Sequence, residues 1–395
     1  MFEHIVLRRA DGGLPISAGQ IAEALLYYQK VHVFIDRYTL HHLVNQIGIS
    51  DILRLLNRPE ISAVYCEEIL VSMMNAYGVS EGHSYQTIVV GGNKDSGELN
   101  TPQERLQFEI ERIGNSRRKA REFTNTFLKF VPVRKFSGDY FVKGGITQAA
   151  KADLLDKEYS RQAFRKAVAV LPGGYDIGED IQLEIISSDL GNFVFTNIDF
   201  DLINKRRASA KPPIGPLTIG VLLTSILDAR ADLALASFYG GDFVTSEVNS
   251  SIIQVRHSEL LRRSKINLNS RQQFTEVVLP DSPSLAEVID SGERSFADFL
   301  RLLDRAGRFK DWLKKVNPDE GMIRTYMRDV SSEEWFQKLP AKSLRYIFTT
   351  ALDASNPGAG LAAGIFDNFI ADKLMSGWRP NHFISGKLSP FIKGD

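Results

Sequence analysis

The sequence is poor in cysteine and has no excess of charge of either sign. Cys66 is the only cysteine among 395 residues, which excludes a disulfide within the chain and a cysteine-based zinc cluster. The 48 basic and 48 acidic residues balance to a formal net charge of zero. This balance argues against a broad electrostatic surface for nucleic acid or an anionic membrane, although it leaves room for a local patch.

Targeting signals and the motifs of several large enzyme classes are also missing. The N-terminal residues lack the basic start and long apolar region of a signal peptide. No segment has the roughly 20 mostly apolar residues of a membrane span. We therefore expect a soluble, cytoplasmic protein. The chain also has no phosphate-binding P-loop, no G-x-S-x-G nucleophile turn and no H-E-x-x-H zinc motif.

A glycine-rich segment near the C-terminus carries two short motifs. Gly358, Gly360 and Ala363 match the G-x-G-x-x-A pattern of dinucleotide-binding loops. Gly360 and Gly364 match the G-x-x-x-G pattern of closely packed membrane helices. The first motif needs a preceding strand, whereas the residues before it have a helical pattern. Nearby charges argue against a membrane span. We predict a small-residue helix over 358–375, with Gly360 and Gly364 at a closely packed interface.

The pattern of apolar residues changes along the chain. Short runs of strand type alternate with helical patterns before residue 210, and helical patterns prevail after it. Alternation over 181–203 predicts a β-hairpin. The basic, proline-containing stretch 204–213 predicts a linker. We therefore predict an α+β fold, with a mixed α/β domain over residues 1–210 and a mainly helical domain over 211–395.

Capping residues and glycines predict where several helices begin and break. Thr101 and Glu104 have the spacing of a capping box, with Pro102 at the first helical position. The stretch 114–116 predicts an interruption of the long helix that begins there. Gly48 predicts a similar break in an earlier helix.

Acidic residues follow two of the predicted strands. Asp36 comes directly after the strand 31–35, and Glu67 and Glu68 follow the strand 62–66. Carboxylates grouped at strand ends can hold Mg²⁺ or Mn²⁺ and orient a water molecule, as in metal-dependent nucleases. An aspartate at a strand end is also a common helix cap. These three residues are the candidate catalytic residues of a nuclease acting on RNA or DNA.

Two further patterns are relevant to nucleic acid. Arg37 and His42 have the R-x4-H spacing of HEPN-type ribonucleases, in which an arginine and a histidine act together without a metal. The densest basic run comprises Arg117, Arg118, Lys119 and Arg121. Such a run can follow a phosphate backbone, but neighbouring glutamates balance its charge, which favours an ordinary solvated helix face.

Two runs near the ends of the chain carry a resemblance. Residues 21–31 and 364–374, with Gly377-Trp378-Arg379-Pro380, resemble uncharacterised bacterial proteins of unknown function, some of them associated with phage-defence neighbourhoods. The resemblance implies a bacterial origin and a role in regulation, defence or assembly, and it brings no catalytic residues.

Two hypotheses of function follow. The first is a non-enzymatic interaction, regulatory or effector component of a bacterial cytoplasmic system, for example in antiviral defence. It would act through a protein partner or a second copy of the chain and would need no cofactor. The alternative is the nuclease, which would use Mg²⁺ or Mn²⁺ at Asp36 with Glu67 or Glu68, or no metal at Arg37 and His42. Whether the chain is an enzyme is left open by the sequence.

Overall fold

In a computed structural model, the chain folds into two β-sheets and a series of helices. The structure describes residues 2–9, 14–78, 80–89, 99–316, 321–330 and 378–394. Both sheets lie in the N-terminal part and helices make up the C-terminal part, so the predicted α+β class is confirmed. The described strands are β1 (His4–Leu7), β2 (Lys30–Ile35), β3 (Ile61–Tyr65), β4 (Glu68–Tyr77), β5 (Ser80–Val89), β6 (Leu183–Ser188), β7 (Gly191–Thr196) and β8 (Asp242–Phe243).

Helices connect and follow these strands. In chain order the described helices are α1 (Ala18–Tyr27), α2 (Arg37–Leu56), α3 (Pro102–Arg112), α4 (Arg117–Phe130), α5 (Gly145–Leu155), α6 (Lys157–Val170), α7 (Phe200–Ala208), α8 (Ile219–Tyr239), α9 (Glu247–Val278), α10 (Leu285–Asp290), α11 (Phe296–Asp304), α12 (Gly307–Leu313), α13 (Gly321–Val330), α14 (Pro380–Phe383) and α15 (Ser389–Lys393). A π-helical turn, Ile384–Leu388, joins the last two. Within the described part of the chain, no helix is long and apolar enough to cross a membrane.

The first sheet is parallel and has the strand order β3-β2-β1-β8. Its first three strands are nearly continuous apolar runs with few exposed positions. This composition is typical of parallel strands that are covered on both faces. The chain adds β2 and β3 on one side of β1 and later places β8 on the other side. The order therefore reverses between β1 and β8.

The second sheet is antiparallel, with the order β4-β5-β7-β6. The hairpin β6–β7 confirms the prediction for its central residues, but the predicted strand continued to residue 203, which is wrong. Asp199 instead accepts a hydrogen bond from the Leu202 amide and caps α7. The alternating residues from Ile198 onward therefore belong to the cap and the first turn of α7, not to a strand.

Helix α8 lies at the centre of the main hydrophobic core. It packs against β1 and β8 of the parallel sheet and against β4 of the antiparallel sheet. Apolar side chains are buried along most of its length, as expected for a helix enclosed on several sides. The buried residues that it contributes include Leu222, Leu223, Ile226, Leu227 and Leu235. This helix fixes the positions of both sheets.

The described chain divides into two compact units that differ from the predicted division at residue 210. The larger unit comprises His4–Ser17 and Lys30–Ser264, and the smaller comprises Met1–Glu3, Ala18–Gln29 and Lys265–Asp395. Residues 4–17 and 18–29 thus belong to different units although they are adjacent in sequence.

The predicted linker 204–213 lies within the larger unit and is held by side chains. The Asn204 amide group donates to the Leu217 carbonyl at 3.1 Å and accepts from the Leu217 amide at 2.7 Å. Arg207 donates to the carbonyls of Pro172 and Gly215 at 3.0 and 2.7 Å. The first residues of the stretch are also helical, as part of α7. These bonds explain why the boundary does not fall here.

The smaller unit has its own core of aromatic side chains. The rings of Tyr27, Phe274, Phe309 and Trp312 lie within 6.5 Å of one another in successive pairs. Helix α1 packs closely against α10, where a Cβ atom on Gly19 would lie 2.3 Å from a backbone carbonyl oxygen. Only glycine allows this approach.

Local signals in the sequence are confirmed at three helix ends. Thr101 and Glu104 form the capping box at the start of α3. Gly48 has a φ of 74° and interrupts α2. The long helix breaks between α3 and α4, where Ser116 caps the second helix. The predicted helix over 358–375, with Gly360 and Gly364, lies outside the described residues.

Candidate functional site

The carboxyl ends of the parallel strands meet at one edge of the first sheet, and the predicted catalytic carboxylates lie there. Arg8 and Arg9 follow β1, Asp36 follows β2, Glu67 follows β3, and Thr245 follows β8. Ligands of open α/β sheets bind outside this edge. Asp36 and Glu67 thus lie at the same edge of the sheet, after β2 and β3. What these side chains can do there depends on the groups that each one contacts.

Asp36 caps the helix that follows it. It is buried, and its Oδ1 accepts a hydrogen bond from the Thr39 amide at 2.7 Å. Its second oxygen lies 3.5 Å from Nη2 of Arg9. Of the two roles considered for this residue, the structure shows the helix cap directly.

Glu67 and Glu68 are buried and bind different partners. Glu67 accepts two hydrogen bonds from the Arg105 guanidinium, at 2.9 and 2.8 Å. Glu68 accepts from the backbone amide and the hydroxyl of Ser137, at 2.9 and 2.6 Å. Such charge-assisted bonds offset the cost of burying each carboxylate. These carboxylates therefore fix α3 and the segment around residue 137 to the end of β3.

No metal cluster is found among the described residues. No group of three or more His, Cys, Asp or Glu side chains there has an arrangement that could hold a metal ion. Cys66 lies beside the two glutamates, and burial raises the pKa of its thiol to about 12. A thiol with this pKa stays protonated near neutral pH and is a poor nucleophile.

The histidine that lies near Arg37 is His41, the residue before His42 of the predicted pattern. Arg37 Nε lies 3.1 Å from Glu109 Oε2, and the ring of His41 lies 2.9 Å from the same oxygen. Arg112 also approaches this oxygen, at 3.0 Å. Burial lowers the pKa of His41, although Glu109 opposes the shift. The structure thus brings Arg37 together with His41 through a carboxylate, and it shows no such link to His42.

Glu109 is a central residue of this cluster that sequence reasoning missed. It is almost fully buried and lies three residues after Leu106 on the buried face of α3. The sequence signal that could have identified Glu109 is a charged residue at a position where the helical pattern places an apolar one. Such a residue needs charged partners, because an isolated carboxylate is costly to bury.

The basic run lies on the solvent face of α4. Its four residues, Arg117, Arg118, Lys119 and Arg121, are exposed. The opposite face buries Ala120, Phe123 and Phe127 in the core. Arg118 also pairs with Glu122 at 2.9 Å. This placement is that of an amphipathic surface helix, and nucleic-acid binding by the run stays a prediction.

The antiparallel sheet has an apolar face that is turned away from the core. One face, which includes Leu70, Tyr85 and Val194, packs into the main core. The alternate residues of the same four strands point to the opposite side of the sheet, which we call the outer face. Its apolar members are Ile69, Val71, Met73, Tyr77, Ile88, Ile186, Phe193 and Phe195.

Several members of the outer face are largely exposed. Phe195 has 51% of its surface exposed and Ile186 has 49%. The rings of Tyr77 and Phe193 lie 6.0 Å apart across Gly82. A Cβ atom at Gly82 would lie 3.0 Å from the Tyr77 ring and 3.3 Å from the Phe193 ring, so glycine lets both rings lie against β5. The outer face is therefore mostly uncharged, and its apolar side chains share it with polar ones such as Asn75, Ser84 and Gln86.

Comparisons with protein families, curated proteins and solved structures found no match to this chain. Its function is therefore inferred from the outer face and from the carboxyl edge of the parallel sheet.

Proposed function

We propose that this chain is a non-enzymatic regulatory or effector component of a bacterial cytoplasmic system, and that it acts through protein contacts. The observation that supports this proposal is the outer face of the antiparallel sheet. Antiparallel sheets with one face in the core usually present polar residues on the other face. Contiguous exposed apolar patches are typical of protein-binding surfaces.

The occupant that best fits the outer face is a second copy of the chain. Glu184 is the one charged residue among the outer-face positions of β4 to β7. A two-fold contact places the same surface on both sides of the interface, so a charged face would repel its own copy. A face with a single charged position keeps this repulsion small and gains free energy from burial, at about 25 cal/mol per Å² of apolar surface.

Size-exclusion chromatography with light scattering tests self-association. We expect the wild-type mass to exceed that of a monomer and to increase with concentration. Ile186→Asp and Phe195→Asp should give monomers with an unchanged far-UV circular dichroism spectrum, because each places like charges in the interface. Ile266→Asp is a matched control, since Ile266 is an exposed apolar residue elsewhere, on α9.

Two results would overturn the proposed self-association. One is a wild-type protein that stays monomeric at every concentration. The other is a different protein that co-purifies in stoichiometric amount and is lost in Ile186→Asp, which would assign the outer face to that partner.

The carboxylate partners at the sheet edge favour this proposal over the nuclease. Asp36, Glu67 and Glu68 each have a separate protein partner. We therefore expect no cleavage of RNA or DNA by the purified protein with Mg²⁺ or Mn²⁺. Cleavage that is lost on adding EDTA and in Asp36→Asn would contradict this expectation. Metal-independent cleavage lost in His42→Ala would instead support the Arg37 and His42 pattern.

A further inference from the structure

A solvent-accessible cavity of about 240 Å³ lies at the carboxyl edge of the parallel sheet. Its wall includes Arg8 and Arg9 from the end of β1 and Thr245 from the end of β8. The cavity therefore lies where the strand order reverses. In open α/β sheets this is the crevice in which ligands bind, because the two chain segments diverge there and leave space.

A buried ion network builds one wall of the cavity. The Arg8 guanidinium donates to Asp228 at 2.6 Å and to Asp232 at 2.9 Å. The other oxygen of Asp232 accepts from the Thr245 hydroxyl at 2.7 Å and from the side-chain Nδ2 of Asn249 at 3.0 Å. Arg8 and Asp232 are both buried. The network fixes β1, α8 and the start of α9 in one arrangement, which is the rigid support that a binding site needs.

Arg9 is the cation of the wall that a ligand can reach. Its side chain is 34% exposed, and Nη2 lies 3.5 Å from the Asp36 carboxylate. Arg8 differs, because two carboxylates already occupy its guanidinium. The start of α9 forms another part of the wall, where Ser246 accepts from the Asn249 backbone amide at 3.1 Å and the helix dipole attracts negative charge. Asp228 is partly exposed and can accept from a hydroxyl group.

From this arrangement we propose that the cavity binds a small polar molecule that carries an anionic group, either a phosphate or a carboxylate. Arg9 and the first turn of α9 contact the anionic group, and Asp228 accepts from a hydroxyl of the same molecule. The volume suits a compact ligand, since cavities for drug-sized ligands are roughly 300–1,000 Å³. This site is separate from the outer face, so it does not depend on the proposed self-association.

Isothermal titration of the full chain with three related sugars tests the proposal. Ribose 5-phosphate and ribonate carry the two kinds of anionic group, and ribose carries neither. We expect at least one of the two anions to bind and ribose not to bind at the same concentration. Which anion binds more tightly distinguishes a phosphate site from a carboxylate site.

Variants then assign the binding to the cavity. Arg9→Gln should weaken binding of the anion by roughly tenfold to a hundredfold, as expected for loss of a charge-assisted hydrogen bond. Arg9→Lys should retain part of the affinity. Ser225→Leu, which adds volume at the cavity wall and leaves all charges in place, should also weaken binding. Arg54→Gln, at an exposed arginine on α2, is the matched control and should bind as wild type does.

Three results would overturn the proposal. The first is that neither anion binds to folded wild-type protein. The second is that ribose binds as tightly as ribose 5-phosphate and ribonate. The third is that Arg9→Gln and Ser225→Leu both bind the anion as tightly as wild type does.

Discussion

The buried network around Arg8 allows a quantitative prediction about stability. Burial by itself lowers the pKa of the Arg8 guanidinium, but Asp228 and Asp232 raise it by more, so the net shift is upward. The cation is therefore held by its two carboxylates. Arg8→Met keeps an unbranched apolar side chain and removes the guanidinium, which leaves the carboxylate of Asp232 buried without its cation.

The expected loss of stability is about 3–5 kcal/mol, the range for removing one partner of a buried ion pair. An exposed pair gives the comparison. Arg54 lies 3.1 Å from Asp51, and its side chain is 66% exposed. Arg54→Met should therefore cost at most about 1 kcal/mol, because water screens this pair. In Arg8→Met/Asp232→Asn part of the loss should be recovered, since the uncompensated charge is gone.

Urea unfolding followed by far-UV circular dichroism is a suitable assay. Tryptophan fluorescence alone is unsuitable, because the three tryptophans all follow residue 264 in the sequence, whereas the Arg8 network lies in the larger unit. Hydrogen exchange of peptides from α8 would localise the effect. The reasoning would be refuted if Arg8→Met lowered the free energy of unfolding by less than Arg54→Met does. It would also be refuted if the losses caused by Arg8→Met and Asp232→Asn simply added in the double variant.

Three other predictions concern local features. Asp36→Ala should lower stability in urea by about 1 kcal/mol through loss of the cap of α2, whereas Asp36→Asn should retain most of it. Burial, with a smaller contribution from His4, lowers the pKa of His32 to about 4. The unfolded chain then binds this proton more readily, so the melting temperature should fall as the pH drops from about 6.5 toward 4, and His32→Gln should weaken that dependence. Asn204→Ala should speed tryptic cleavage after Arg206, and an unchanged rate would show that the bonds to Leu217 do not hold this stretch.

Sequence reasoning succeeded where a single stretch of chain determines the structure. The capping box at Thr101 and the break at Gly48 depend only on neighbouring residues. Sequence reasoning did not predict β4, because the second half of this strand is exposed and lacks a clear alternation of apolar and polar residues. The division into units was also unpredictable, because residues 18–29 pack with helices more than 200 residues away.

The candidate sites show the same limit. The position of Asp36 and Glu67 at one sheet edge followed from their places after predicted strands. Their arginine partners did not, because Arg105 reaches Glu67 and Arg9 reaches Asp36 only through the fold. The outer face was hidden for a related reason. Its residues come from two hairpins that are about 100 residues apart in the sequence, and pairing of β5 with β7 brings them together.

The most direct test of the proposed function is hydrogen exchange of the peptide over 183–196 at low and high protein concentration. This peptide carries Ile186, Phe193 and Phe195 of the outer face. If the chain associates through that face, exchange in the peptide should slow as concentration rises, and Ile186→Asp should abolish the difference. Equal exchange at both concentrations, in a sample whose mass nevertheless increases, would contradict the assignment of the interface to the outer face.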